Sequence, residues 1–158
     1  MPGQVFSTLV RADSSGYILV IKNKNDVLID RKHFSYPVFK LRQADIDQDG
    51  QDEFVLGVRK ITVLDTTVRN RINIWKLDHN RLVPMWLSSF FPHPLYDFEV
   101  HTLQHEVVVL TIEYDKDKRF LVSEYVWHSF GLKFKRYIKR NVNLAEALTL
   151  IQNPDETP

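Results

Sequence analysis

Asp45-Ile-Asp-Gln-Asp-Gly-Gln-Asp-Glu53 packs five carboxylates into nine residues, three of them at alternate positions ahead of a single glycine. Charges this dense repel one another in a folded loop, and a hard divalent cation taking about 6–8 oxygen ligands relieves the repulsion. As a ligand list, Asp45, Asp47 and Asp49 fill the first, third and fifth places, Gly50 permits the sharp turn, and Gln51 offers its backbone carbonyl. An EF-hand would continue to a bidentate Glu at the twelfth place and into a helix. The twelfth residue here is Leu56, inside the β-prone run Phe54-Val-Leu-Gly-Val58, so the loop opens a strand and Glu53 must close the coordination. The competing reading is an acidic hairpin without an ion, because Asp and Gly are ordinary turn residues. Acids at all three alternate places favour calcium, since a turn alone does not need them.

Other candidate sites carry less chemistry. Phe90-Phe-Pro-His-Pro-Leu-Tyr96 is an aromatic, proline-rich connection whose Phe90, Phe91, His93 and Tyr96 either form a recognition surface for a protein or glycan ligand or plug the seam between two blades of strands. His101 and His105 stand four apart with His93 nearby, but on a strand such a pair spreads by about 13 Å, unlike the helical pair of zinc proteases; ordinary surface histidines are expected. Lys133-Phe-Lys-Arg-Tyr-Ile-Lys-Arg140 interleaves basic and aromatic residues as a single-strand nucleic-acid groove does, yet it reads more simply as a solvated strand whose lysines discourage edge pairing. No nucleic-acid partner is expected. There is no nucleophile elbow, glycine-rich phosphate loop or His-Glu-x-x-His, and the clustered carboxylates serve better as ligands than as an acid/base pair, so no enzymatic activity is expected.

The stretch Ala-Asp-Ile-Asp-Gln-Asp-Gly-Gln-Asp-Glu-Phe-Val-Leu-Gly57 resembles the calcium loop of FG-GAP repeats, the integrin-α-like or VCBS-type β-propeller family. In that family the loop joins inner strands of a blade and ends in Asp or Glu at its eighth and ninth places, which Asp52 and Glu53 match. The Phe-Gly and Gly-Ala-Pro dipeptides that name the family are missing, and one calcium loop is visible. The resemblance implies adhesion or ligand recognition, with calcium rigidifying a blade rather than doing chemistry.

The elements that must position this loop are strands. Three stretches share a plan of apolar strand, polar turn and second apolar strand: Tyr17–Ile21 with Val27–Ile29, Arg71–Trp75 with Leu82–Trp86, and Val122–Trp127 with Leu132–Tyr137. Inner pairs precede the later two, Val38–Ala44 with Phe54–Val58 and Leu95–His101 with Glu106–Ile112. Asp115-Lys-Asp-Lys118 reads as a polar hairpin tip. Pro37 and Pro94 begin equivalent copies 57 residues apart, near the length of one four-stranded blade. The second copy has Thr102-Leu-Gln-His105 where the first has its acidic loop, so one calcium site is expected. Asn143 caps a short amphipathic helix from Leu144 to Gln152.

The expected fold is therefore mainly β: antiparallel four-stranded blades, a partial or small propeller-like stack of two to three blades, and a short C-terminal helix. Residues 1–142 would form the repeat domain, as about 1–36, 37–93 and 94–142, followed by helix and tail at 143–158. Closed propellers use about 4–8 blades, so the chain is expected to be a fragment, an open stack, or half of a two-fold dimer of about six blades.

Composition agrees with one β-rich unit: 158 residues, 44% hydrophobic, no cysteine. The formal charge of +1 names no partner. Absence of cysteine excludes disulfides and thiolate metal sites. No apolar run approaches the roughly 18 residues of a membrane span, and Met1-Pro-Gly-Gln lacks the basic and apolar regions of a signal peptide. A calcium site of modest affinity nonetheless points to an extracytoplasmic home, periplasmic or cell-surface, where modules work at about 10⁻⁴–10⁻³ M. The alternative to a recognition module is a calcium-stapled scaffold, self-associating in a larger assembly, or an accessory domain of a glycan-directed enzyme.

Overall fold

The computed structural model describes residues 3–13, 16–88 and 91–154. The chain is mainly antiparallel β with one short C-terminal helix, and divides into two compact units, Met1–Ser89 and Phe90–Pro158.

In the first unit, β1 (Val5–Asp13), β2 (Gly16–Asn23) and β3 (Leu28–Phe34) form an antiparallel meander. Gly16 is required by close approach: a Cβ there would lie 2.4 Å from the His33 ring and 2.8 Å from the Phe34 carbonyl. A second meander runs through β4 (Val38–Ala44), β5 (Glu53–Lys60), β6 (Arg69–Asp78) and β7 (Arg81–Leu87). Strand β5 is buried at every position from Glu53 to Val58, as its unbroken apolar run dictates for a strand covered on both faces. Leu19, Ile21 and Phe34 of the first meander meet Val38, Phe54, Leu56, Val58 and Trp75 of the second in one core. The Phe34 and Trp75 rings pack edge to face at 5.5 Å. Polar ties fasten the two sheets. Gln43 on β4 donates to the Val5 carbonyl at 2.9 Å and accepts from the Ser7 hydroxyl at 2.8 Å, and Asp30 on β3 accepts from the Leu82 amide of β7 at 2.7 Å.

The second unit is a meander of β8 (Leu95–Leu103), β9 (Glu106–Tyr114), β10 (Phe120–His128) and β11 (Gly131–Val142), followed by α1 (Leu144–Gln152). Its tight turns use left-handed pairs, Gln104-His105 between β8 and β9 and Asp117-Lys118 between β9 and β10, a backbone twist that suits adjoining strands. The Asn143 side chain accepts from the Glu146 amide at 2.8 Å and so starts the helix. Ala147 and Ile151 then bury against Val108, Leu110, Ile112, Val122 and Val142.

Strand pairings, hairpins and helix match the sequence reading, but the propeller-like stack of blades is corrected. Propeller blades repeat around a closed ring, whereas here the sheets are open and form no such ring. The acidic loop belongs instead to a two-layer unit, in which a three-stranded meander that the repeat count took for a partial blade covers one face of the β4–β7 sheet and shares its core. The blade count that motivated a six-bladed dimer falls with it.

Candidate metal centre

The acidic loop joins β4 to β5, and its backbone is folded around its own carboxylates. Asp45 accepts from the amides of Asp49 at 3.0 Å and Gly50 at 2.9 Å, Asp47 accepts from Asp49 at 3.1 Å, and Asp49 accepts from Gln51 at 2.8 Å. Two residues take left-handed backbone, Gln48 at φ 60° and Gly50 at φ 95°, which reverses the chain within a few residues. Glu53, fully buried at the first position of β5, reaches back under the loop and accepts from the amides of Ile46 at 2.8 Å and Asp47 at 3.4 Å. Ile46 is itself buried and pins the loop from below.

The result brings one carboxylate oxygen from each of Asp45, Asp47, Asp49 and Glu53 within 4.8 Å of one another. This acidic group can hold a metal ion. At such spacing each fully ionised pair repels by on the order of 3 kcal/mol for an effective dielectric constant of about 20. The inner two have raised pKa values, with burial the larger cause and repulsion adding to it. Burial, then the Asp47 charge, pushes Glu53 up to about 7, against the opposing pull of the Ile46 and Asp47 amides. Burial likewise raises Asp47, with Asp49 and Asp45 adding repulsion and Lys76 on β6 offering attraction.

Gln51 is exposed and, with Asp49, Asp52, Glu53, Lys76, Leu77 and Asp78, lines a polar depression beside the carboxylates. The sequence reading passed over two residues that matter here. Gln43, besides tying β4 to β1, donates to Asp52 at 2.9 Å, so one amide links the sheet, the first strand and the end of the acidic loop. Lys76 comes from a strand distant in sequence, and only the β5–β6 register, with Phe54 opposite Trp75, brings it alongside. No local motif encodes either contact.

The aromatic candidates are in the second unit. Phe91 is buried with its ring edge-to-face on Tyr125 at 5.2 Å, and Tyr96 is half-buried between Tyr114 at 5.8 Å and Phe120 at 5.4 Å. His93 is half-buried, and Phe90 lies outside the described residues. His101 contacts the Ile151 carbonyl at the helix end, while His105 is exposed in its turn. Of the basic stretch on β11, Lys135 pairs with Glu106 and Arg136 with Glu124.

Comparison with protein-family models, with curated proteins and with solved structures finds no match to this chain.

Proposed function

We propose that Asp45, Asp47, Asp49 and Glu53, with the Gln51 carbonyl, bind a calcium ion that fastens the β4–β5 connection of a non-enzymatic recognition or adhesion module. The observation that carries this is the 4.8 Å limit on the separation of the four carboxylate oxygens. Two ligands at calcium's distance of about 2.4 Å from a common centre lie at most about 4.8 Å apart, so four oxygens within that limit can share one divalent cation. The buried Glu53 and the loop's inward amides make the ion structural: it neutralises repulsion that protein charges leave standing. The resemblance of the loop to the calcium loops of FG-GAP repeats supports the same choice of ion, and a protein or glycan is the class of ligand such modules take. Calcium bound with modest affinity fits a periplasmic or cell-surface setting.

The test is thermal unfolding of the whole chain in excess chelator, in millimolar calcium and in millimolar magnesium. A rise in melting temperature selective for calcium is expected, and its loss in Asp45→Ala or Asp47→Ala assigns it to the loop. Equal melting in all three solutions makes the loop an acidic turn and removes the proposal.

A further inference from the structure

The connection between β5 and β6 displays aliphatic side chains to solvent while being held by a dense polar net. Val63 is 98% and Leu64 79% exposed, and Ile61 and Val68 are about half exposed. Single exposed aliphatics are ordinary, but four within eight consecutive residues form a patch that folding does not explain. Nor is the loop loose. Thr62 donates to the Asp65 carbonyl at 2.8 Å, and its hydroxyl accepts from the Asp65 amide at 3.0 Å. The Asp65 carboxylate accepts from the Thr67 amide at 3.1 Å and from the guanidinium groups of Arg69 at 2.9 Å and Arg71 at 3.0 Å. Arg71, whose side chain is 1% exposed, also donates to the carbonyls of Lys60 at 2.8 Å and Thr67 at 3.0 Å, so one buried cation staples both ends of the loop.

We propose that this loop docks on an anionic lipid surface, Ile61, Val63, Leu64 and Val68 entering the boundary between headgroups and acyl chains while Arg59 and Lys60 meet the headgroup charges. Three observations select lipid over a protein partner. The apolar residues stand at a tip, with Val63 almost wholly free of neighbours, so there is no pocket of the kind that protein hot spots fill. They are aliphatic, whereas protein interfaces concentrate aromatic anchors. Charge is the third. Residues 59–71 hold four basic residues against one acid in a chain whose total is +1; that acid engages Arg69 and the buried Arg71, which leaves Arg59 and Lys60 as the excess positive charge beside the tip. A basic collar around an apolar tip is the pattern of interfacial membrane binding, where buried apolar area and attraction to anionic lipid add. Because the polar net fixes the loop beforehand, docking costs little ordering entropy. No helix among the described residues is long and apolar enough to cross a membrane, and none is needed. This inference does not depend on calcium.

The experiment is co-sedimentation of the whole chain, in chelator, with vesicles of phosphatidylcholine alone and of phosphatidylcholine mixed with phosphatidylserine. Binding to the mixed vesicles is expected, weakened by salt. The double variant Val63→Asp/Leu64→Asp should lower it by about tenfold or more, and Arg59→Glu/Lys60→Glu by several-fold. The Val63→Asp/Leu64→Asp variant should melt with the parent, since both side chains are exposed. As an independent reading, Leu64→Trp should shift its fluorescence to the blue on mixed vesicles. Absence of binding to mixed vesicles overturns the proposal, and so does binding that the Val63→Asp/Leu64→Asp variant retains. A self-associated species that these aspartates disperse, in a parent with no vesicle affinity, would assign the tip to a second copy of the chain instead.

Discussion

Two loops leave the ends of strand β5, and they solve the problem of holding carboxylates in place in opposite ways. At the Glu53 end four acidic side chains converge and their amide partners are supplied by the loop itself, with Lys76 adding attraction to Asp47. At the Lys60 end one acid, Asp65, is held below the usual carboxylate range by the Thr67 amide and then by two guanidinium groups. Amides can shape a loop but add no full positive charge. The first loop can therefore hold an external cation, whereas the second carries its own.

The sharpest way to break this comparison is to remove the internal cation. Arg71→Met leaves the Asp65 carboxylate and the Lys60 and Thr67 carbonyls without their shared donor, and should lower stability by about 3 kcal/mol in urea unfolding. The loss should be the same in chelator and in calcium. If calcium restores it, the two loops are not independent.

Asp47→Asn and Asp65→Asn should differ in sign when metal-free. Asp47→Asn removes a charge that repels its neighbours, so the chelated protein should hold or gain stability, while the calcium increment disappears, about 2.7 kcal/mol when calcium is at about 100 times its dissociation constant. Asp65→Asn should destabilise in both solutions, because it removes the acceptor that two arginines share. A matching pair of melting curves, each taken with and without calcium, decides it.

Glu113 in the second unit is a reference with no metal-type acidic cluster among the described residues of that unit. It is buried on β9 and accepts from the hydroxyls of Ser123 at 2.7 Å and Tyr125 at 3.0 Å. Burial raises its pKa, with those hydroxyls pulling the other way and His93 adding attraction. A raised carboxyl favours the fold below its unfolded value of about 4.3 and loses that contribution as pH rises through the folded value. Glu113→Gln should flatten this part of the stability profile above about pH 4, and calcium should leave the difference between variant and parent unchanged. A calcium-dependent difference would mean that Glu113 responds to the metal centre.

How much of this was readable in advance follows from the range of each interaction. The acidic loop was legible because its ligands sit within nine residues, and the hairpins because apolar alternation and turn residues are local signals. The helix was bounded to the residue because Asn143 supplies its cap next to the apolar pattern. Blades were a false extension of true local pairings: strand repeats define hairpins, but whether sheets close or layer depends on side-chain packing between distant segments, such as Leu19 and Ile21 against Phe54 and Leu56. The β5–β6 loop gave no motif at all. Its Asp65–Arg71 staple needs tertiary burial of an arginine, and the exposure of Val63 and Leu64 depends on where the loop runs rather than on their residue types.

Gly50→Ala is the smallest and cleanest probe of the metal loop. An added Cβ meets nothing within 4 Å, so sterics of packing do not enter, and the whole cost is holding alanine at φ 95°, beyond the left-handed region that other residues tolerate. That amounts to about 1–2 kcal/mol. Gln48 shows the contrast: at φ 60° it lies where a non-glycine residue is allowed, and it needs no glycine. If the folded loop is already arranged as the ion requires, Gly50→Ala should lower stability by the same amount with and without calcium and leave calcium affinity unchanged. A loss of affinity measured by titration calorimetry, larger than the loss of stability in chelator, would instead mean that the ion itself closes the turn at Gly50, and the contrast between a loop awaiting its cation and one built around its own would then extend from charge to backbone.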